Sequence, residues 1–139
     1  MKLNLTFAKT AEIMKGELKS KKPSAKITGF VTDSRVVTKG DAFIALKGLK
    51  HDAHQFINQV IKKGASLIVA EKAHCPEITD EKVSVIYVQN TLKALQDLAK
   101  YHRLNSTLKV AAITGSNGKS TTKQMLKAIC EQAGETVAN

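Results

Sequence analysis

The stretch that most constrains the fold runs from Leu108 to Ile129. A short apolar run, LKVAAI, gives way at once to TGSNGKSTTKQML, where the glycines stop and Met125, Leu126 and Ile129 begin a helical spacing. Strand, glycine loop and helix in that order is the setting of a phosphate-binding loop. Gly115 and Gly118 can adopt backbone angles closed to other residues, so that consecutive N–H groups converge on one anion. Asn117 between them tolerates left-handed geometry, and its amide can donate. The N-terminus of the following helix adds about half a unit of positive charge, contributing ~0.3–1 kcal/mol per anionic group at an exposed site. That is too little to hold a triphosphate.

Lys119 brings a full charge and three donors to where the β and γ phosphates of ATP would lie, and the Ser120 hydroxyl is placed to ligate the accompanying Mg²⁺. The expected ATP-binding residues are therefore Gly115, Ser116, Asn117, Gly118, Lys119, Ser120 and Thr121, with Lys119 as the catalytic charge and Ser120 as the metal ligand. The loop is a short variant of GxxxxGK[ST], because Ile113 stands where the first Gly is usual. The bland alternative is a glycine turn entering a helix, with Lys119 merely exposed.

Upstream, helical and strand patterns alternate. Phe7, Ala8, Ala11 and Met14 predict a first helix with Thr6 as N-cap and Gly16 as its stop, followed by a polar loop from Ser20 to Ala25. Ile27–Thr32 and Asp41–Leu46 read as strands. A helix capped by Asp52 is expected to run to Lys63 and close at Gly64. Strands at Ala65–Ala70, Val83–Val88, Leu108–Ile113 and Thr136–Ala138 alternate with helices at Thr91–Leu104 and Lys119–Ala133. This alternation predicts an α/β layered fold with parallel strands. A domain boundary is expected within YHRLNST, dividing residues 1–105 from 106–139. The second piece is one βαβ portion, too little to cover both sides of its strand.

Composition narrows the function classes. No segment approaches the ~18 uninterrupted apolar residues of a membrane span, and no export signal is visible at the N-terminus. Cys75 and Cys130 form no CxxC pair, which suits a reducing cytoplasm. The net charge of +10 would suit nucleic acid, but the lysines are scattered and aromatics are only 4% with no Trp, so stacking platforms are scarce and an ordinary solvated surface is the better reading. His51 and His54 could share a helix face, yet two histidines without a third ligand make a poor metal site, and loop or cap roles fit better. His74 and His102 carry no partner pattern and are assigned no chemistry.

TGSNGKSTTKQML resembles the ATP loop of the Mur ligases, the amide-forming enzymes that lengthen the peptide stem of bacterial cell-wall precursors. Thr32-Asp33-Ser34-Arg35, the run Lys39-Gly40-Asp41-Ala42-Phe43-Ile44-Ala45-Leu46-Lys47-Gly48, and His51-Asp52-Ala53-His54-Gln55-Phe56-Ile57 resemble their N-terminal, UDP-binding domain. The resemblance implies a mixed-sheet UDP-binding domain followed by the start of the central ATP-binding domain. It also implies that Ser34 and Arg35 lie beside the UDP portion of the substrate, with Lys47, Gly48 and His51 in a substrate-side loop. Arg35 suits that role because its fork can meet a phosphate in two parallel bonds; the alternative is a surface ion pair with Asp33 or Asp41.

In the family, the ATP γ-phosphoryl group passes to the terminal carboxylate of the UDP-sugar peptide, and an incoming amine attacks the resulting acyl phosphate. Thr121–Leu126 is nearest the member that adds D-alanyl-D-alanine to UDP-MurNAc-tripeptide; the member that adds the third residue is the alternative, as is a non-catalytic UDP-sugar or nucleotide-binding module. Ser120 replaces the more usual Thr and keeps the hydroxyl. Mur ligases are far longer than 139 residues, so the resemblance implies an N-terminal piece that does not catalyse ligation by itself.

Overall fold

The computed structural model describes residues 5–48, 51–75, 78 and 83–138. They fall into two compact units that divide between Ser106 and Thr107.

The first unit is a five-stranded mixed sheet with helices on both faces. Its elements are α1 (Phe7–Met14), β1 (Glu17–Lys19), β2 (Phe30–Val31), β3 (Ala42–Ile44), a 3-10 turn (Ala53–Phe56) leading into α2 (Ile57–Lys62), β4 (Leu67–Glu71), β5 (Ser84–Val88) and α3 (Thr91–Leu104). The strand order is β1-β5-β4-β3-β2. Strands β2 to β5 are parallel, with Phe43 opposite Ile68 and Ile68 opposite Val85, whereas β1 pairs antiparallel with β5.

Side chains alternate across the sheet, and each set meets its own helices. Leu67, Val69, Ile86 and Val88 join Phe7, Ala11 and Met14 of α1 and Ala94 and Leu98 of α3 in one core. Phe43, Ile68, Ala70 and Val85 point the other way, against Ile57 and Val60 of α2. Strands covered on both faces carry apolar residues pointing both ways, which is why Leu67–Ala70 of β4 and Val85–Val88 of β5 read as unbroken runs, with polar residues only at the ends, Glu71 and Ser84. Full burial of a side chain such as Ile68 or Ile86 contributes ~1.5–3 kcal/mol.

Local chemistry sets the helix ends. Thr6 caps α1 by accepting from Lys9 N at 3.2 Å, and Asn90 caps α3 by accepting from Lys93 N at 2.8 Å. Helix α3 buries Thr91, Ala94 and Leu98 and ends on His102 and Arg103, whose position suits the negative end of the helix. The expected stop of α1 at Gly16 needs correction. Lys15 is the left-handed residue, with φ 53°, and Gly16 matters because a Cβ there would lie 2.4 Å from Ile86 Cγ2 and 2.9 Å from Tyr87 O. Gly16 lets the chain turn flush against β5 and enter β1, a strand that the alternation of patterns did not predict.

Other expected elements are shorter. Only Phe30 and Val31 of Ile27–Thr32 pair with β3, because Ile27 N is turned to Leu5 O and Thr28 N to Gly40 O. Strand β3 stops at Ile44, where the chain bends and Leu46 N donates to Ile44 O. The helix capped by Asp52 opens as a 3-10 turn before becoming α helical.

In the second unit α4 spans Lys119–Glu131, and turn bonds from Ala133 and Gly134 to Cys130 O finish it. Leu108–Ile113 and Thr136–Ala138, expected as strands, form none. A strand exists only as a member of a ladder, and among the described residues no ladder includes either segment.

Candidate functional site

Because β2, β3, β4 and β5 run in one direction, the loops that follow them emerge along one edge of the sheet, where open parallel sheets place their ligands. Ser34 and Arg35 lie in the loop after β2, and Lys47, Gly48 and His51 in the loop after the neighbouring β3.

The β2 loop is tied down by charge. Lys63 Nζ donates to the carbonyls of Ser34 at 2.8 Å and Arg35 at 3.0 Å. Ser34 itself is buried, while the Arg35 side chain is 85% exposed. Arg35 Nε and Nη2 donate to the Asp33 carboxylate, at 2.9 and 2.7 Å, and its backbone N–H donates to Asp33 Oδ1. The ion-pair alternative is therefore realised with Asp33; Asp41 instead accepts from Thr38 N and Oγ1. These bonds from Arg35 lower the Asp33 carboxyl to about 2. Asp33 engages two of the five guanidinium N–H groups, so Arg35 is both oriented and still able to donate.

The β3 loop is closed on itself. Gly48 N donates to His51 O at 2.8 Å, Ala53 N donates to Leu46 O at 3.0 Å, and Lys47 and Asp52 form an isolated antiparallel bridge. Lys47, Gly48 and His51 are exposed on this loop.

Behind it lies a polar chain that sequence reading missed. His54 is buried, its Nδ1 is 2.5 Å from Asp52 Oδ1, and its Nε2 accepts from Glu71 N at 3.0 Å. A ring nitrogen that accepts from an N–H is unprotonated, so the proton sits on Nδ1 and is donated to Asp52. Burial alone would raise the Asp52 carboxyl; the backbone and ring hydrogen bonds from His54 outweigh it and hold the group below its ordinary value. His54 thus has the cap-like role expected of it, capping β4 as well as its own loop. His74, expected to carry no chemistry, faces Lys47 through Nε2 and lies 3.8 Å from Glu71 Oε2 through Nδ1. Glu71 Oε1 in turn accepts from Thr91 N at 3.0 Å and from Thr91 Oγ1 at 3.2 Å. No sequence signal marked this group, since its members lie on separate loops and strand ends.

The glycine loop belongs to the second unit. Gly115 and Gly118 have φ of 146° and 77°, values that favour glycine and allow the sharp entry into α4 at Lys119. No side chain caps α4, leaving its first-turn N–H groups to an anion, and Ser116, Asn117, Ser120 and Thr121 are all exposed around that end. Lys119 Nζ is folded back onto the carbonyls of Gly115 and, at 3.5 Å, Ser116. The donor types suit a polyphosphate: uncapped backbone N–H groups, the Lys119 ammonium and exposed Ser and Thr hydroxyls all belong to this one helix end, and the Ser120 hydroxyl is of a type that can ligate a divalent cation.

The chain can now be set beside known proteins. Residues 26–103 match the family described as "Mur ligase family, catalytic domain". The UDP-N-acetylmuramoyl-L-alanyl-D-glutamate--2,6-diaminopimelate ligase of Syntrophomonas wolfei is 39% identical over 93% of this chain and 25% of its own length. The UDP-N-acetylmuramoyl-tripeptide--D-alanyl-D-alanine ligase of Rickettsia prowazekii is 46% identical over 71% of this chain and 21% of its own. Among solved structures, MurF from Acinetobacter baumannii superposes with a TM-score of 0.81 at 38% identity, over 94% of this chain and 28% of that one. MurF from Thermotoga maritima in complex with ADP gives 0.63 at 33% identity, over 74% and 23%. The chain spans about a quarter of the length of the curated relatives it matches. With a family match over more than half its residues, and an α/β mixed-sheet fold shared with solved MurF structures, the chain belongs to the Mur ligase family.

Proposed function

We propose that these residues are the UDP-substrate domain, 1–105, and the start of the central ATP-binding domain, 106–139, of a cytoplasmic ligase. That ligase joins D-alanyl-D-alanine to UDP-MurNAc-tripeptide in peptidoglycan precursor synthesis. The observation that carries the reading is the uncapped helix start behind TGSNGKS, with Lys119 within reach of its mouth. It stands in the same chain as an open sheet edge bearing Arg35 and Lys47.

In this reading Gly115, Ser116, Asn117, Gly118 and Thr121 cradle the ATP phosphates through backbone and side-chain donors. Lys119 leaves its loop carbonyls to offset charge on the γ-phosphoryl group as it passes to the tripeptide carboxylate. Mg²⁺, held through Ser120, would supply further positive charge to the phosphates. Ser34, Arg35, Lys47, Gly48 and His51 receive the UDP portion, with Arg35 meeting a phosphate through the N–H groups that Asp33 leaves over. Ligation is assigned to the full-length enzyme, of which the 139 residues would be the substrate-receiving part.

A second reading, a ligase that adds the third residue, is favoured by relatives of that name at 39% identity. Calorimetric titration tests both. UDP-MurNAc-tripeptide should bind, and Arg35→Ala should weaken it alone; Mg-ATP should bind, and Lys119→Ala should weaken it about 10-fold or more, as loss of a charge-assisted contact predicts. Tighter binding of UDP-MurNAc-dipeptide than of tripeptide would move the assignment to the third-residue ligase. A folded chain that binds neither ligand would overturn the proposal for these residues.

A further inference from the structure

We infer that His74, set by Glu71, is a positioning residue that fixes the ammonium of Lys47 for the diphosphate of a bound UDP-sugar; this rests on the reading of Lys47 as a substrate contact. Residues from three separate stretches of sequence meet here: Lys47, the pair Glu71 and His74, and Thr91. Glu71 ends β4 with its side chain only 12% exposed, one carboxylate oxygen on the backbone and hydroxyl of Thr91, the other 3.8 Å from His74 Nδ1. His74 Nε2 faces Lys47 Nζ. An ammonium has donors only, so Nε2 must be the acceptor and the ring proton must sit on Nδ1, the nitrogen turned toward Glu71. The negative end of the chain, Glu71, is thus mostly enclosed and anchored, and a neutral imidazole passes its field to a cation at the surface.

Such an arrangement does little for stability, because Lys47 is exposed and water would solvate it equally well. What it does is restrict a long side chain. An exposed lysine samples many rotamers, and one already held at the ligand edge loses less freedom when a phosphate arrives. The closed loop around Lys47, tied by Gly48 to His51 and by Ala53 to Leu46, restricts its backbone in the same way.

The test is calorimetric titration of the chain with UDP-MurNAc-tripeptide. Lys47→Ala and His74→Leu should each weaken binding about 5- to 10-fold, and the double variant should bind no more weakly than Lys47→Ala alone. His74→Gln, whose amide oxygen reaches the Nε2 position, should restore most of the affinity, whereas His74→Asn, which reaches only the Nδ1 position, should not. A purely structural histidine would not show that split. Wild-type affinity in His74→Leu beside weakened Lys47→Ala, or full additivity of the two, would overturn the inference and leave the UDP reading intact. Wild-type affinity in Lys47→Ala with weakened Arg35→Ala also overturns it, and wild-type affinity in both variants removes the UDP reading as well. Should His74→Leu fail to fold by circular dichroism, equal affinities of His74→Gln and His74→Asn would be the overturning result.

Discussion

Replacing His54 by Leu keeps most of the buried bulk and removes both ring nitrogens. Glu71 N–H, which donates to Nε2 at 3.0 Å, is then left facing an apolar group. Orphaning a buried donor costs ~1–3 kcal/mol. Asp52 also loses the ring N–H at 2.5 Å, but its side chain is 37% exposed, so water replaces much of that bond and the loss is about 0.5–1 kcal/mol. Burial of the leucine returns part of this, leaving a net destabilisation of about 1–3 kcal/mol. With a urea dependence of ~1–3 kcal/mol per molar for a small unit, the unfolding midpoint followed by circular dichroism should fall by about 1 M. His54→Gln supplies an oxygen at the Nε2 position and restores only the Glu71 bond, so it should recover more than half of the loss. A leucine variant within about 0.5 kcal/mol of wild type, or a glutamine variant no better than leucine, would refute the hydrogen-bond accounting.

Gly16→Ala should destabilise the sheet unit by about 1–3 kcal/mol in the same urea assay, since the new methyl meets a buried Ile86 side chain at 2.4 Å and the Tyr87 carbonyl at 2.9 Å; an unchanged midpoint would mean that β5 yields easily. Gly118→Ala meets no atom within 4 Å, so its cost is conformational, about 1–2 kcal/mol for a left-handed alanine. It should weaken Mg-ATP binding roughly 10-fold while leaving thermal unfolding of the sheet unit unchanged. Asp33 should titrate near pH 2 by carboxyl NMR and return toward its ordinary 3.8 in Arg35→Ala. Because the folded value lies below the free one, the pair's contribution is complete above about pH 4 and is lost as the pH falls through about 2. An Arg35→Ala spectrum with an unmoved Asp33 midpoint would place the cause elsewhere.

Elements held by local chemistry were legible in the sequence. The Thr6 and Asp52 caps act as their residue types predict, and α3 spans the expected Thr91–Leu104. Elements held by distant partners were not. Strand β1 is three residues, Glu17, Leu18 and Lys19, with no strong periodicity, and it exists because Gly16 lets it reach β5 some seventy positions away, Glu17 pairing with Tyr87. Leu108–Ile113 shows the converse, since β-rich composition makes no strand without a neighbour. At the edge of the sheet where the parallel strands end, the loop positions of Ser34, Arg35, Lys47, Gly48 and His51 could be read from motif resemblance. The joining of His54, His74, Glu71 and Thr91 could not, because only the parallel stacking of β3, β4 and β5 brings their loops side by side.

The antiparallel pairing of β1 also decides how the sheet meets other chains. A sheet edge is a template for further strands, and long bare edges invite fusion between molecules. Here one margin is a three-residue strand whose outer positions are the charged Glu17 and Lys19, and the other, β2, is two residues long. An intruding strand would gain only two or three rungs at either margin before running out of ladder. The central strands β4 and β5, apolar except for Glu71 and Ser84 at their ends, therefore lie between margins of only two and three residues.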